Sequence, residues 1–202
     1  MEIIHYIKSE LIKKGMDDVV ISSFEIEGRQ LKFVNNKVVK TGSELTSSIH
    51  IFCSKNKKII ATSLKDISKQ KADELIKKII NFSKNIQPNK DYFGIAEGPF
   101  KYNLKFDYDK NIMDINESDM LEKGINKALE NSKRVAGNLE MWNLKAHLVT
   151  SNDVDAEDSS SNLYFSIRAF NEKDESGHMN CCSNILKNFE VEKTAERAAE
   201  IA

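Results

Sequence analysis

The chain has 202 residues, of which 30 are basic and 31 acidic, with 40% hydrophobic and 30% charged residues overall. That length buries a sizeable core, in one domain or in two small lobes. The charges are interleaved and form no Lys/Arg cluster of the kind that neutralises phosphates, which argues against nucleic acid as a partner. No apolar run approaches the roughly 20 residues that span a bilayer, and Met1-Glu2-Ile3-Ile4-His5 lacks the basic start and apolar core of a secretory signal. A cytoplasmic protein without a membrane partner is expected. Its three cysteines, Cys53, Cys181 and Cys182, cannot form an even disulfide framework, so reduced thiols are expected.

Ile4, Ile7 and Leu11 recur at helical spacing over residues 2–14, and Gly15 supplies a stop. The period then changes. Val19-Val20-Ile21 is a β-branched run, Gly28 reads as a turn, and Leu31 and Phe33 alternate with polar neighbours before a turn at Asn35-Asn36. Ile49, Ile51 and Cys53 continue the alternation, Ser54–Lys58 reads as a hairpin loop, and Ile59-Ile60-Ala61 as the returning strand. Asp66 or Ser68 caps a helix with Ala72, Leu75, Ile76, Ile79 and Ile80 on one face. Residues 85–111 hold both prolines and no sustained period, which predicts an irregular linker packed down by Tyr92, Phe93, Phe100, Tyr102 and Phe106.

A helix capped near Asn116 or Ser118 follows, with Leu121, Ile125, Ala128 and Leu129 inward. Leu144, Ala146 and Leu148 alternate, as do Leu163, Phe165, Ile167 and Ala169. A last helix from near Glu190 sets Val191, Ala195, Ala198, Ala199 and Ala202 on one face. Its alanines permit close backbone approach, and the chain ends in mid-stripe without a Gly or Asn cap, so continuation of the natural polypeptide is expected. The two halves repeat one pattern: Leu31–Val34 falls where Ala146–Val149 falls, and Ser48–Phe52 where Asn162–Ser166 falls. The expected architecture is α+β, two similar units of antiparallel sheet covered by helices. They occupy residues 1–85 and 114–202, with the linker at 86–113.

Candidate chemistry is sparse. A zincin helix needs two histidines one turn apart, and His5, His50, His147 and His178 are all too distant in sequence. His178 and Cys181 supply only two ligands of a structural zinc site, and as a thiol–base pair they lack a third orienting group. Ser159-Ser160-Ser161 sits in an acidic stretch and reads as a mobile loop. Asp153, Asp155, Glu157 and Asp158 have no EF-hand spacing, and a solvated hairpin is the expectation. No phosphate-binding glycine motif occurs. No catalytic, cofactor-binding or metal-ligating residue is assigned, and no cofactor is expected in this segment.

Four stretches in order resemble the N-terminal domain of the TldD/PmbA family: Leu31–Val38, Ile49–Ile67, Phe106–Ile112 and Glu192–Ala202. The resemblance implies a peptide-processing metallopeptidase complex of paired subunits enclosing a chamber, with an H-E-x-x-x-H metal motif in the C-terminal half of the TldD-like subunit. This sequence contains no such motif. The resemblance therefore implies a non-catalytic scaffold whose partners are a second TldD/PmbA-type subunit, or a second copy, and a peptide. The alternative is a stand-alone protein-binding or assembly module without peptidase association, which self-association through the alanine face of the last helix would favour.

Overall fold

Helix, three strands, helix: the chain runs through this order twice. The first run is α1 (Glu2–Lys13), β1 (Asp18–Val34), β2 (Lys37–Lys55), β3 (Lys58–Leu64) and α2 (Lys69–Ser83); the second is α3 (Glu117–Leu129), β4 (Arg134–Thr150), β5 (Asp155–Phe170), β6 (Ser176–Ser183) and α4 (Val191–Ile201). The computed structural model describes residues 2–65, 67–98, 100–101, 108–172 and 175–202. The class is α+β, as the alternating strand periods imply. All six strands belong to one sheet, in the order β3-β2-β1-β4-β5-β6.

The compact units do not follow the expected sequential division. One comprises Met1–Glu25, Thr46–Leu104 and Lys145–Asp158, and the other Ile26–Leu45, Lys105–Leu144 and Ser159–Ala202. The physical reason is strand length. With 17, 19, 17 and 16 residues, β1, β2, β4 and β5 each contribute to both units.

Tight turns keep these strands in register. Asn35-Asn36 joins β1 to β2 with φ of 51° and 66°, and Asn56-Lys57 joins β2 to β3 with φ of 49° and 63°. Positive φ at both central positions is the requirement of the hairpin turn whose twist matches its strands, and asparagine tolerates it. The second loop is thus two residues long, shorter than the expected Ser54–Lys58. Asn36 Oδ1 also accepts from the Val135 amide at 2.7 Å.

In the first unit, Ile4, Ile7 and Leu11 of α1 and Ala72, Ile76 and Ile79 of α2 pack with Val19, Ile21, Ile49, Ile51, Cys53 and Val149. Ser68 is the cap of α2, accepting from the Lys71 amide at 3.4 Å; the alternative, Asp66, lies outside the described residues. In the second unit, Leu121, Ile125 and Ala128 of α3 and Val191, Ala195, Ala198 and Ala199 of α4 pack with Leu31, Phe33, Leu139, Met141, Leu163, Phe165 and Ile167. Phe33 stacks on Phe165 with centroids 6.3 Å apart. Asn116 caps α3, its Oδ1 accepting from the amides of Ser118 and Asp119.

Several expectations change. Gly28 lies inside β1 and makes no turn; a Cβ there would meet Trp142 Cβ at 3.5 Å. Ser159–Ser161 is strand, because Ser161 is buried, donates to the Asn184 carbonyl at 2.6 Å and accepts from the Asp109 amide. Leu144, Ala146 and Leu148 do alternate, but they are only half-buried, while Met141, His147 and Val149 face inward. Of the linker aromatics, Tyr92 packs against Phe52 at 5.9 Å and donates to Asp18, whereas Phe93 is 90% exposed and Phe100 46%. Tyr102 and Phe106 lie outside the described residues.

The alanine face of α4 is spent within the chain. Ala195, Ala198 and Ala199 are buried, and the helix backbone meets β6 at Gly177, where an added Cβ would stand 2.0 Å from the Ala198 carbonyl oxygen. A methyl group there would meet the backbone of Ala198 and Ala202 and the Cβ of Ile201, none of which can swing aside. Gly177→Ala is expected to cost about 1–3 kcal/mol in urea unfolding. Gly42→Ala, with nothing within 4 Å of the added Cβ, is expected to stay within about 0.5 kcal/mol of the parent. Equal stability of the two variants would contradict this packing.

Candidate functional site

A strand points successive side chains to opposite faces, and here one face carries the helices. On the second unit the other face holds a groove of about 500 Å³ whose floor includes Ile26, Gly28, Gln30, Gly42, Glu140 and Trp142. Gly28 and Gly42 have no side chains, which leaves the indole of Trp142 with open space on its strand neighbours' side; Trp142 is 36% exposed. Glu140 accepts from Gln30 Nε2 at 2.7 Å and from Asn138 Nδ2 at 2.8 Å, so its carboxylate is fixed across strands. Apolar Ile26, Trp142 and Leu144 beside this polar bracket form a surface suited to binding an extended chain, with hydrogen-bonding groups and an aromatic plate.

On the first unit the corresponding face carries Val20, Ser22, His50 and Phe52. His50 stands edge-on to Phe24 at 5.5 Å and lies 3.3 Å from Ser48 Oγ.

The helix-covered side of the first unit holds a polar cluster. His147 of β4 is 9% exposed. Its Nε2 lies 2.7 Å from Asp155 Oδ1, and its Nδ1 lies 3.5 Å from Glu157 Oε1. His5 of α1 reaches the same carboxylate, with Nε2 3.7 Å from Asp155 Oδ2, and the two imidazoles meet edge-on with centroids 5.6 Å apart. The hydrogen bond from His147 holds the Asp155 carboxyl below the usual carboxylate range, with the charges of His147, His5 and Lys8 adding to it. One nitrogen or oxygen from each of His5, His147 and Asp155 falls within 4.8 Å of the others.

Sequence spacing could not bring His5 to His147, because their proximity depends on α1 lying against β4. The usable signal was local: once residues 151–154 are read as the β4–β5 turn, His147, Asp155 and Glu157 fall on facing strands, all at odd positions.

The other candidates separate. His178 and Cys181 are three residues apart on β6 and therefore point to opposite faces. His178 is exposed and pairs with Ser166 at 3.0 Å, while Cys181 packs against the core and burial raises its thiol pKa. A thiolate nucleophile needs the opposite shift. Among the described residues no carboxylate orients His178 or His50, so neither Ser–His pair completes a triad. Asp153 occupies a turn with φ of 59°, and Asp155 and Glu157 are engaged by His147 rather than converging on a calcium.

No family model and no curated protein matches the chain. Solved structures do match it. A proposed modulator of a DNA gyrase from Thermotoga maritima aligns with 100% of this chain and 47% of its own, with a TM-score of 0.83 at 19% identity. TldE from Thermococcus kodakarensis aligns with 98% of this chain and 46% of its own, at 0.82 and 18%. A second proposed modulator of DNA gyrase, from Bacteroides thetaiotaomicron, aligns with 98% and 48%, at 0.85 and 12%. The chain has the fold found in these proteins and spans about half the length of each.

The three thiols differ enough in environment to be told apart by alkylation. Cys182 is exposed, Cys181 half-buried, and Cys53 fully buried with its pKa pushed up to about 11 by desolvation. Iodoacetamide at neutral pH, read by peptide mass spectrometry, is expected to label Cys182 first, Cys181 more slowly and Cys53 last. Fastest labelling at Cys181 would restore the thiol-enzyme reading.

Proposed function

We propose that the chain is the non-catalytic N-terminal domain of a TldD/PmbA-type protein of peptide processing, serving subunit pairing and framing a chamber for an extended peptide. The observation that carries this reading is the fold likeness to TldE and two proposed gyrase modulators over 98–100% of this chain but about half of each of theirs. The sequence resemblance at Leu31–Val38, Ile49–Ile67 and Glu192–Ala202 runs in the same direction. On this reading the bond-breaking metal is held by the H-E-x-x-x-H motif of a TldD-like subunit's other half, and this domain contributes no catalytic group. It acts in the cytoplasm, with a second TldD/PmbA-type subunit or a second copy as partner and a peptide as substrate. Among the described residues no helix is long and apolar enough to cross a membrane.

The bare sheet face supports this role. Trp142, Ile26 and Leu144 offer apolar area, and the strands that carry them offer main-chain geometry that a peptide or a partner's strand can follow. The same face also favours the alternative, a stand-alone binding module. Self-association of that module through the alanines of α4 is closed off, since they are buried in the chain's own core.

Reading the gene beyond the codon for Ala202, and assaying its full product with the companion subunit, tests the proposal. The assembled pair is expected to hydrolyse peptides and the 202-residue chain alone to leave them intact. Trp142→Ala in the full product is expected to weaken pairing or peptide binding by about 2 kcal/mol, roughly 30-fold. Hydrolysis by the 202-residue chain unaided, lost on replacing one of its own His or Cys residues, would overturn the proposal. A reading frame closing at Ala202 would favour the stand-alone module.

A further inference from the structure

We propose that His5, His147 and Asp155 form a binding site for one first-row divalent transition-metal ion, with zinc as the reference case. The proposal stands apart from the family reading, in which the metal is bound by a different motif in a different segment. It rests on convergence. The Nε2 atoms of two histidines from separate elements approach the two oxygens of a single carboxylate, at 2.7 Å for His147 and 3.7 Å for His5. In a tetrahedral site with metal–ligand bonds of about 2.0–2.2 Å, neighbouring donor atoms lie roughly 3.3–3.6 Å apart. The observed separations bracket that range, and all three donors already fall within 4.8 Å of one another. Modest rotation of His5, whose side chain is 39% exposed on α1, and of Asp155, 56% exposed, closes the set.

The surroundings match what a metal-bound histidine requires. Glu157 Oε1, 3.5 Å from His147 Nδ1, stands where an outer carboxylate fixes the tautomer that leaves Nε2 free for the metal. His147 is held rigidly on β4 beneath α1, while the exposed side of Asp155 leaves a fourth position for water. Imidazole donors disfavour calcium and magnesium, which take oxygen cages, and suit zinc, cobalt, nickel and copper. Lys8, whose charge also reaches Asp155, opposes the ion and keeps the site from being a general cation trap. A bound ion would clip α1 to the β4–β5 hairpin within the same unit, adding to the apolar packing of α1 on Val149 and the His5–His147 ring contact.

The competing description is a carboxylate bridging two neutral imidazoles, with no affinity for metal. Calorimetric titration of the 202-residue chain with zinc chloride, with Cys182→Ser as background so that the exposed thiol cannot compete, separates the two. One equivalent is expected to bind, with a rise in Tm that follows zinc concentration. The cobalt complex is expected to show the absorption of a four-coordinate nitrogen–oxygen site without thiolate charge transfer. Glu157→Gln is expected to weaken binding about 10- to 100-fold, and His5→Ala and Asp155→Asn by more than that. Both ligand positions are partly exposed, so these variants keep the fold, which circular dichroism checks. The absence of saturable one-to-one binding would overturn the site, as would binding that is indifferent to His5→Ala and Asp155→Asn.

Discussion

Two-residue alternation of the buried apolar side chains, along strands of 16 to 19 residues, is the constraint on which the rest of the structure depends. Along β1, β2, β4 and β5 the buried apolar side chains fall at odd positions: Val19, Ile21, Leu31 and Phe33; Ile49, Ile51 and Cys53; Val135, Leu139, Met141 and Val149; Leu163, Phe165, Ile167 and Ala169. A slip of one residue would send any of these sets to the opposite face, so the two-residue turns at Asn35-Asn36 and Asn56-Lys57 are as necessary as the core itself. Glycine serves the same end from another side. At Gly124, where a Cβ would meet Val191 at 2.7 Å, and at Gly177 beneath Ala198, helix and partner approach more closely than side chains permit.

One covered face implies one bare face, and each candidate surface follows from which side a residue takes. Trp142, Gln30 and Glu140 are at even positions and lie on the bare side of the second unit, where a peptide or subunit can reach them. His147 is odd, and so is turned under α1 rather than toward solvent. A histidine so placed needs polar company, which Asp155 and Glu157, also odd, supply from β5, and His5 from the helix above. The cluster is thus what alternation does with a histidine at a core-facing position, and its metal-like geometry follows from three elements converging on one carboxylate.

Much of this was legible in the sequence. The helices were, because Ile4-Ile7-Leu11 and Ala72-Ile76-Ile79 repeat at the helical period beside recognisable stops and caps. The strand cores at Leu31-Phe33, Ile49-Ile51-Cys53 and Leu163–Ala169 were as clear. What failed was length and side. Gly28 looked like punctuation because a glycine's reason for being in a strand, the neighbouring Trp142 side chain, lies on another strand. Ser159-Ser160-Ser161 looked like loop because polarity was taken for mobility, when Ser161 is buried and the first two serines are half-buried. The alternation of Leu144, Ala146 and Leu148 did not say which side they take, because an apolar bare face cannot be distinguished from an apolar covered one without knowing where the helices sit. The His5–His147 meeting was invisible for the same reason: it depends on helix placement, which no local period encodes.

On the proposed reading, the bare sheet face is where this domain meets a second subunit. Hydroxyl-radical footprinting, read residue by residue by mass spectrometry, tests it on the isolated chain and again on the full gene product assembled with its companion subunit. The account predicts that oxidation of Trp142 and Leu144 falls on assembly while the exposed ring of Phe93 stays as reactive as before. Equal oxidation of Trp142 in the two states would contradict it.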